Sequence, residues 1–316
     1  MTGPLVSTII PVFNRESFLQ ECIESVLAAE YSSVEAVVVD DGSTDDSPNI
    51  AADYTKRFPD RVKLLVHPGH TNKGVACSRN LGIKRSSGDL ITFLDSDDLM
   101  RPWRFNEAVR ILGQYPQVDG VLDRVEFSDH ETGRVLEVRS YGELSSEEQL
   151  ENEGKVFHPS GLMATGCLLV RKGLFRESGV FQAHKSVGED INLWWRMYAI
   201  GRLVPGTETR PVAEIRKHQG NMSGFDPALI NPQEFAQVYR WAKQRRVRTE
   251  KLRYLRRRYI SYVLYYLAET RRRGGCLSKE AYLLGHAFRN FPDLRWDERF
   301  LRNFVRLFVR KRWETG

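Results

Sequence analysis

Three carboxylates fall within four positions at the end of a short apolar run, Phe93-Leu94-Asp95-Ser96-Asp97-Asp98. At an exposed strand end such groups repel one another unless a cation is near. Hard divalent cations prefer oxygen ligands, and Mg²⁺ or Mn²⁺ takes one or two carboxylates plus substrate phosphates. The same residues also fit a solvated turn in which Asp97 or Asp98 caps a helix near Pro102. A second acidic strand end is Val38-Val39-Asp40-Asp41-Gly42-Ser43-Thr44-Asp45. A carboxylate there can accept from a ribose hydroxyl or a base imide N–H, and Gly42 permits positive φ or close backbone approach; a turn with an N-cap fits as well. In Asn72-Lys73-Gly74-Val75-Ala76-Cys77-Ser78-Arg79-Asn80-Leu81-Gly82, small residues open a helix whose amides can approach an anion. Arg79 can pair with a phosphate or brace the acidic strand ends, although packing alone also explains this segment.

Such residues need a scaffold that brings strand ends to one edge. Val6 to Phe13 is a β-branched run of the kind that forms a buried strand. Phe18, Leu19, Cys22, Ile23, Val26 and Leu27 then mark one face of a helix. Strands at Ala36 to Val39, Val62 to Val66 and Leu90 to Leu94 alternate with helices ending near Arg57 and spanning Val75 to Arg85. This alternation predicts an α/β fold with a mostly parallel sheet covered by helices on both faces. Ligands gather at the carboxyl ends of such strands, here Phe13-Asn14, Asp40-Asp41 and Asp95-Ser96-Asp97. After about Asp119 the pattern is less regular, with strands expected at Val121 to Phe127 and Leu168 to Val170 and a helix from near Glu189. From about residue 231 the composition turns to Arg-, Leu- and Tyr-rich helices, which predicts an α/β domain over 1–230 and a basic helical region over 231–316.

Pro11-Val12-Phe13-Asn14, Asp40-Asp41-Gly42-Ser43, Asn72 to Gly82 and Asp95-Ser96-Asp97-Asp98 resemble, in order and spacing, the motifs of family 2 glycosyltransferases. The likeness is close over the first hundred residues and extends more loosely to about residue 223. It implies a GT-A fold, a Rossmann-like sheet flanked by helices, and inverting transfer from a nucleotide-diphosphate sugar, most simply a UDP-sugar. It implies that Pro11, Val12, Phe13 and Asn14 border the nucleotide, that Asp41 with Asp40 recognises the base, and that Asn72, Gly74 and Arg79 lie close to it. Asp95, Ser96 and Asp97 would serve the ribose and a metal, Mn²⁺ or Mg²⁺, bridging the donor diphosphate. Phe13 stands where the family usually has Tyr, which loses a hydroxyl but keeps an apolar wall.

Gly188-Glu189-Asp190 followed by Ile191-Asn192-Leu193-Trp194-Trp195-Arg196 resembles the family's acidic pair ahead of an aromatic helix. It implies Asp190 as the base for the acceptor hydroxyl and Glu189 as a residue that orients the site or touches the donor sugar. An acidic first helical turn facing the helix dipole is the plain alternative. Trp194 and Trp195 cannot share one helical face, so one is expected in the core and the other along a pocket. His218, in Arg216-Lys217-His218-Gln219-Gly220-Asn221-Met222-Ser223, matches a loop histidine that completes the metal shell, a role imidazole fills better for Mn²⁺ than for Mg²⁺; a surface histidine is the alternative. His158-Pro159-Ser160-Gly161 and Thr165-Gly166-Cys167 resemble a border of the acceptor side.

The chain has 316 residues and a formal net charge of +6, with the surplus Arg beyond Arg240. Cys22, Cys77, Cys167 and Cys276 are isolated, which points away from zinc sites and disulfide frameworks. The start lacks a signal-peptide pattern, and no apolar run reaches the roughly 18 residues of a membrane span. The expectation is a cytoplasmic protein able to rest on the cytoplasmic face of a membrane. Arg245-Arg246, Arg256-Arg257-Arg258, Arg271-Arg272-Arg273 and Arg310-Lys311-Arg312 interleave with aromatic and aliphatic residues. Such helices suit an anionic lipid surface and a lipid-linked or glycan acceptor, as in surface polysaccharide synthesis; packing of the apolar face under an Arg-covered exterior suits them too. No nucleic-acid-binding motif accompanies the Arg clusters. A sugar-phosphate nucleotidyltransferase would need a Gly-rich N-terminal loop that Pro11 to Asn14 do not provide, and a non-catalytic binding or scaffold protein would not need Asp95, Asp97 and Asp190.

Overall fold

The structure, a computed structural model, describes residues 3–140, 164–183, 189–220, 232–272, 277–303 and 305. His158 to Gly161, Gly188, Asn221 to Ser223, Arg273, Cys276, Phe304 and Arg310 to Arg312 lie outside them. The chain divides into two compact units, Met1–Met222 and Ser223–Gly316.

The first unit alternates strands and helices from its start: β1 (Val6–Val12), α1 (Glu16–Leu27), β2 (Val34–Asp40), α2 (Ser47–Arg57), β3 (Val62–Val66), α3 (Val75–Arg85) and β4 (Leu90–Phe93). Then come β5 (Leu99–Met100), α4 (Asn106–Gln114), β6 (Gly120–Leu122), β7 (Val125–Asp129), β8 (Val135–Arg139), β9 (Leu168–Arg171) and α5 (Leu174–Ser178). The unit continues through α6 (Glu189–Ile200), β10 (Leu203–Pro205) and β11 (Ala213–Lys217). Among the described residues the strands form two sheets. The larger has the order β10-β6-β9-β4-β1-β2-β3, parallel except for β9, which runs antiparallel to both β4 and β6. The expected mostly parallel α/β sheet is what the chain forms.

β1 and β2 are buried at every position, as central strands covered on both faces must be. Leu19, Cys22, Ile23 and Val26 of α1 pack into the core with Ile10, Val38, Leu90 and Ile111. Parallel pairing sets Val12 beside Asp40, and the amide of Asp41 donates to Val12 O at 2.8 Å. The ends of β1, β2 and β4 therefore open on one edge.

The expected strand from Val121 to Phe127 is two strands in different sheets. β7 joins β8, β11 and β5 in a smaller sheet of order β5-β11-β7-β8. The break falls at Asp123, whose carboxylate accepts from Arg104 Nη1 at 2.7 Å with both side chains almost fully buried. A buried charge left without its partner is costly, and here the pair sits where the chain passes from one sheet to the other. Packing also corrects the two tryptophans: both are buried, at 1% and 5% exposure. Trp194 packs among Phe93 and Phe181, and Trp195 meets the edge of Tyr198.

The second unit contains α7 (Pro232–Gln244), α8 (Thr249–Arg272) and α9 (Leu277–Asn290). It carries 22 Lys and Arg against nine Asp and Glu, a net charge of +13, so the first unit is net −7. Phe235 stacks on Tyr262 with centroids 4.4 Å apart, and Tyr259 lies against His286 and Phe291. Leu255, Tyr259, Val263 and Leu267 are buried, whereas Arg253, Arg257 and Tyr265 are exposed. No helix among the described residues is long and apolar enough to cross a membrane.

Candidate functional site

At the end of β1 the chain buries Pro11 and Val12 and exposes Phe13, at 43%. The side chains left to border a ligand here are therefore Phe13 and Asn14. Asn14 takes a positive φ of 51°, a left-handed conformation that Asn adopts more readily than most residues. Its amide donates to Ser43 Oγ at 3.0 Å, and its Oδ1 accepts from the Thr44 amide at 2.8 Å. The two strand ends thus interlock.

Asp40 and Asp41 do more local work than their sequence suggests. Asp40 accepts the amides of Gly42 and Ser43 at 3.3 and 3.2 Å, and His70 Nε2 lies 2.7 Å from its Oδ2. Asp41 accepts the amides of Lys73 and Gly74 at 2.7 and 2.9 Å, while His67, hydrogen-bonded to Ser78, approaches it at 3.5 Å. Gly74 precedes α3 with φ 89°, and Asn72 Oδ1 also accepts the Gly74 amide at 3.1 Å. These carboxylates hold the start of α3 against the end of β2.

Arg79, at the start of the second turn of α3, braces the acidic edge. Its Nη2 donates to Asp95 Oδ1 at 2.7 Å and its Nη1 to Glu189 Oε1 at 2.8 Å. Burial alone would lower its pKa, but Asp95, Glu189 and Asp190 outweigh burial and raise it, so the guanidinium stays charged. One arginine therefore joins the end of β4 to the first turn of α6. Asp190, beside Glu189, accepts its neighbour's amide from Ile191 at 2.7 Å. Burial, reinforced by the Glu189 charge and opposed by Arg79, pushes its carboxyl up to about 6. A carboxylate with that pKa can take a proton near neutral pH.

Neither Asp97 nor Asp98 caps a helix. Asp98 accepts the Arg216 amide at 2.9 Å, and Arg216 Nε donates to the backbone oxygen of Asp97 at 2.6 Å. Burial and the charges of Asp95 and Asp97 raise the Asp98 pKa well above the usual carboxylate range. Ser96 is buried between them. Asp97 Oδ2 faces Arg15 Nε at 3.2 Å and His218 Nε2 at 3.3 Å. Arg15 also donates to Gly220 O at 3.2 Å and to Asn14 O at 3.1 Å. His218 stacks on Phe18, with centroids 4.6 Å apart, so it is no loose surface histidine.

Asp97 and His218 converge from different elements, with Asp95 at the same strand end, while no cluster of three or more His, Cys, Asp or Glu side chains among the described residues is arranged to hold a metal ion. A cation shared with substrate phosphates usually takes one or two protein carboxylates, and Asp95 and Asp97 are carboxylates at this strand end. His218 carries a condition. Its Nδ1 accepts the Gly220 amide at 3.1 Å, which in a neutral ring leaves the proton on Nε2. To offer Nε2 to a cation, the ring must shift that proton to Nδ1, and the Gly220 amide must turn away.

Arg15, His67, His70 and Arg216 were not legible as site residues, because each is recruited by a partner far away in sequence. Thr165 to Cys167 form a short 3₁₀ turn, buried, ahead of β9.

Residues 7–179 match the model of the family described as glycosyl transferase family 2. An uncharacterized glycosyltransferase of Haemophilus influenzae is 45% identical over 100 residues, 32% of this chain and 39% of that protein. The putative glycosyltransferase EpsE of Bacillus subtilis is 31% identical over 209 residues, 63% of this chain and 69% of that protein. The first four curated relatives are spanned over 39%, 61%, 45% and 60% of their own lengths. Among solved structures, S. aureus TarS 1–349 in complex with UDP aligns with a TM-score of 0.65 at 17% identity, over 98% of this chain and 92% of that one. The complex of TarS 1–349 with UDP-GlcNAc aligns with a TM-score of 0.56 at 21% identity, over 75% of this chain and 65% of that one. At these identities the likeness is one of fold.

Proposed function

Because the chain belongs to glycosyl transferase family 2, we propose that it transfers a sugar, with inversion, from a nucleotide-diphosphate sugar to a hydroxyl of a glycan or lipid-linked acceptor. The observation that carries this reading is Arg79, which ties Asp95 at the end of β4 to Glu189 beside Asp190. A donor diphosphate at the strand end and an acceptor hydroxyl at Asp190 would then be neighbours. A UDP-sugar is the donor proposed, in keeping with the UDP and UDP-GlcNAc that TarS binds, and surface polysaccharide synthesis is the setting.

In this scheme the Asp190 carboxylate takes the proton of the acceptor hydroxyl as its oxygen bonds to the anomeric carbon. The bond from that carbon to the diphosphate oxygen breaks, and its electron pair leaves with the nucleoside diphosphate. Glu189, fixed by Arg79, keeps Asp190 protonatable by its charge and orients the edge of the sugar site. Phe13 and Asn14 border the nucleotide. Asp97, Asp95 and His218 are the residues to hold a divalent cation, Mn²⁺ or Mg²⁺, which when bound offsets negative charge on the leaving diphosphate.

A panel of nucleotide sugars, assayed for transfer or hydrolysis with and without Mn²⁺, tests the activity; no turnover and no binding of any donor would end the proposal. Asp190→Asn should abolish transfer, by about 10²-fold or more, while leaving donor affinity within about twofold. Loss of donor binding instead removes Asp190 from the role of base.

A further inference from the structure

The arginines of the second unit divide into those spent within the fold and those left free. Arg271 donates to Glu280 and Asn303, Arg256 meets Asp293, and Arg299 and Arg302 lie against Asp297 and Glu298. Around the turn from α7 to α8 the pattern reverses. Lys243, Arg245, Arg246, Arg253 and Arg257 are exposed, and none of the five is in an ion pair among the described residues. Glu250 is the only acid between Glu234 and Glu269.

The backbone gathers these charges at one end of a helical hairpin. α7 stops at Gln244 and α8 starts at Thr249, so a short turn joins them. The Val247 amide donates to Ala242 O at 3.2 Å and the Arg246 amide to Lys243 O at 3.1 Å, the bond pattern of a Schellman motif. Its left-handed position, usually glycine, holds Arg246 at φ 54°. The dipole of α7 favours cations in its last turn, but it gives no reason for Arg253 and Arg257 on α8. Those two stand four residues apart on one helical face, where like charges repel. Such a set is favourable only beside an anionic partner.

The same end carries apolar surface. Trp241, Val247, Leu252 and Tyr254 are half-buried, and the Arg245 guanidinium lies 4.4 Å from the centre of the Trp241 ring. A single-stranded nucleic acid would use an open aromatic face for stacking, whereas this one is covered by Arg245. Arginine beside Trp, Leu and Tyr suits the headgroup layer of a bilayer, and no described helix is long and apolar enough to cross one. We propose that the α7–α8 turn is the docking surface for an anionic phospholipid membrane, with these five cations among the lipid phosphates. The paired arginines elsewhere in the unit take little part.

The test is sedimentation of the full chain with vesicles of phosphatidylcholine alone or with about 30% phosphatidylglycerol, at low salt and without a sugar donor. The wild type should bind only the mixed vesicles. Each cation near such a surface contributes about 5-fold in affinity, so Arg245→Gln with Arg246→Gly should weaken binding by about 25-fold. Glycine suits the left-handed position, so this variant should keep the helical circular dichroism of the wild type. Arg253→Gln with Arg257→Gln should lose a similar factor. Arg299→Gln with Arg302→Gln removes the same net charge from paired positions and should cost less than about 2-fold. Equal losses in all three pairs would make binding a matter of net charge and overturn the assignment of the surface. Wild-type binding to neutral vesicles, or to neither kind, overturns it as well. Tighter binding of oligouridylate than of vesicles, lost in the same two variants, would make the turn a nucleic-acid site instead.

Discussion

Arg79→Met removes the cation that joins the two halves of the proposed site while keeping much of the side-chain length. Arg79 is 5% exposed and Glu189 is 9% exposed at the side chain. Removing one partner of a buried pair costs about 3–5 kcal/mol. Asp95 is 38% exposed at the side chain, so its half of the bridge is screened by water and adds only about 0–1 kcal/mol. With roughly 2–4 °C per kcal/mol for a unit of this size, thermal unfolding should fall by about 10 °C. The same substitution acts on Asp190. Arg79 holds the Asp190 pKa down against burial and the Glu189 charge, and the balance stands at about 6. Without Arg79 that pKa rises. As the base must be deprotonated to act, kcat/KM climbs with pH through the Asp190 pKa, and the acid limb should move to higher pH in the variant. Arg79→Lys, which keeps the charge but not the fork of donors, should lose stability with a smaller displacement of the limb. Sugar transfer measured from pH 4.5 to 8.5, alongside calorimetry, checks both effects. An acid limb that stays in place or moves down in Arg79→Met would refute the coupling of Arg79 to the base.

Asp123 carries a stability prediction. Burial raises its carboxyl to about 6 despite Arg104, above an unfolded value of about 3.9. The folded state therefore binds the extra proton, and this contribution to stability is full below about pH 4 and lost as pH rises through about 6. Asp123→Asn should reduce the fall in urea-unfolding free energy between pH 4.5 and 6.5, even though leaving Arg104 alone lowers stability overall; an undiminished slope would place the effect elsewhere. Arg15 competes for Asp97 Oδ2, so Arg15→Gln should tighten Mn²⁺ binding by about 2- to 5-fold, on the scale of a partly exposed ion pair, as read by electron paramagnetic resonance without nucleotide. Weaker binding would instead make Arg15 a support of the site. With a net charge of +13 over Ser223–Gly316, the full chain should co-sediment with anionic vesicles at low salt and release near 0.5 M NaCl, beyond the range of screened surface charge. No binding at low salt would exclude the anionic surface as a partner.

Much of this protein is encoded locally. Strand runs such as Val6 to Val12 and helix faces such as that of α1 depend on the period of apolar residues, which neighbours in the chain decide by themselves. The alternation of β1 to β4 with helices is then enough to predict that Asn14, Asp41 and Asp95 stand at one sheet edge. What the carboxylates bind at that edge is another matter, since a hydrogen-bonding group can take any partner that packing brings within about 3 Å. Asp98 meets the Arg216 amide from 118 residues away, where its sequence fitted a cap. Asp41 closes on the start of α3, and Asp97 meets Arg15 and His218 together. The strand expected over Val121 to Phe127 divides at Asp123, which Arg104 meets in the interior, and hydropathy does not register an ion pair. Residue types and spacing determined the sheet, its acidic edge and the family; only the tertiary structure decided which of those acids are spent on holding the loops and which are left facing outward, because that depends on partners far apart in the chain.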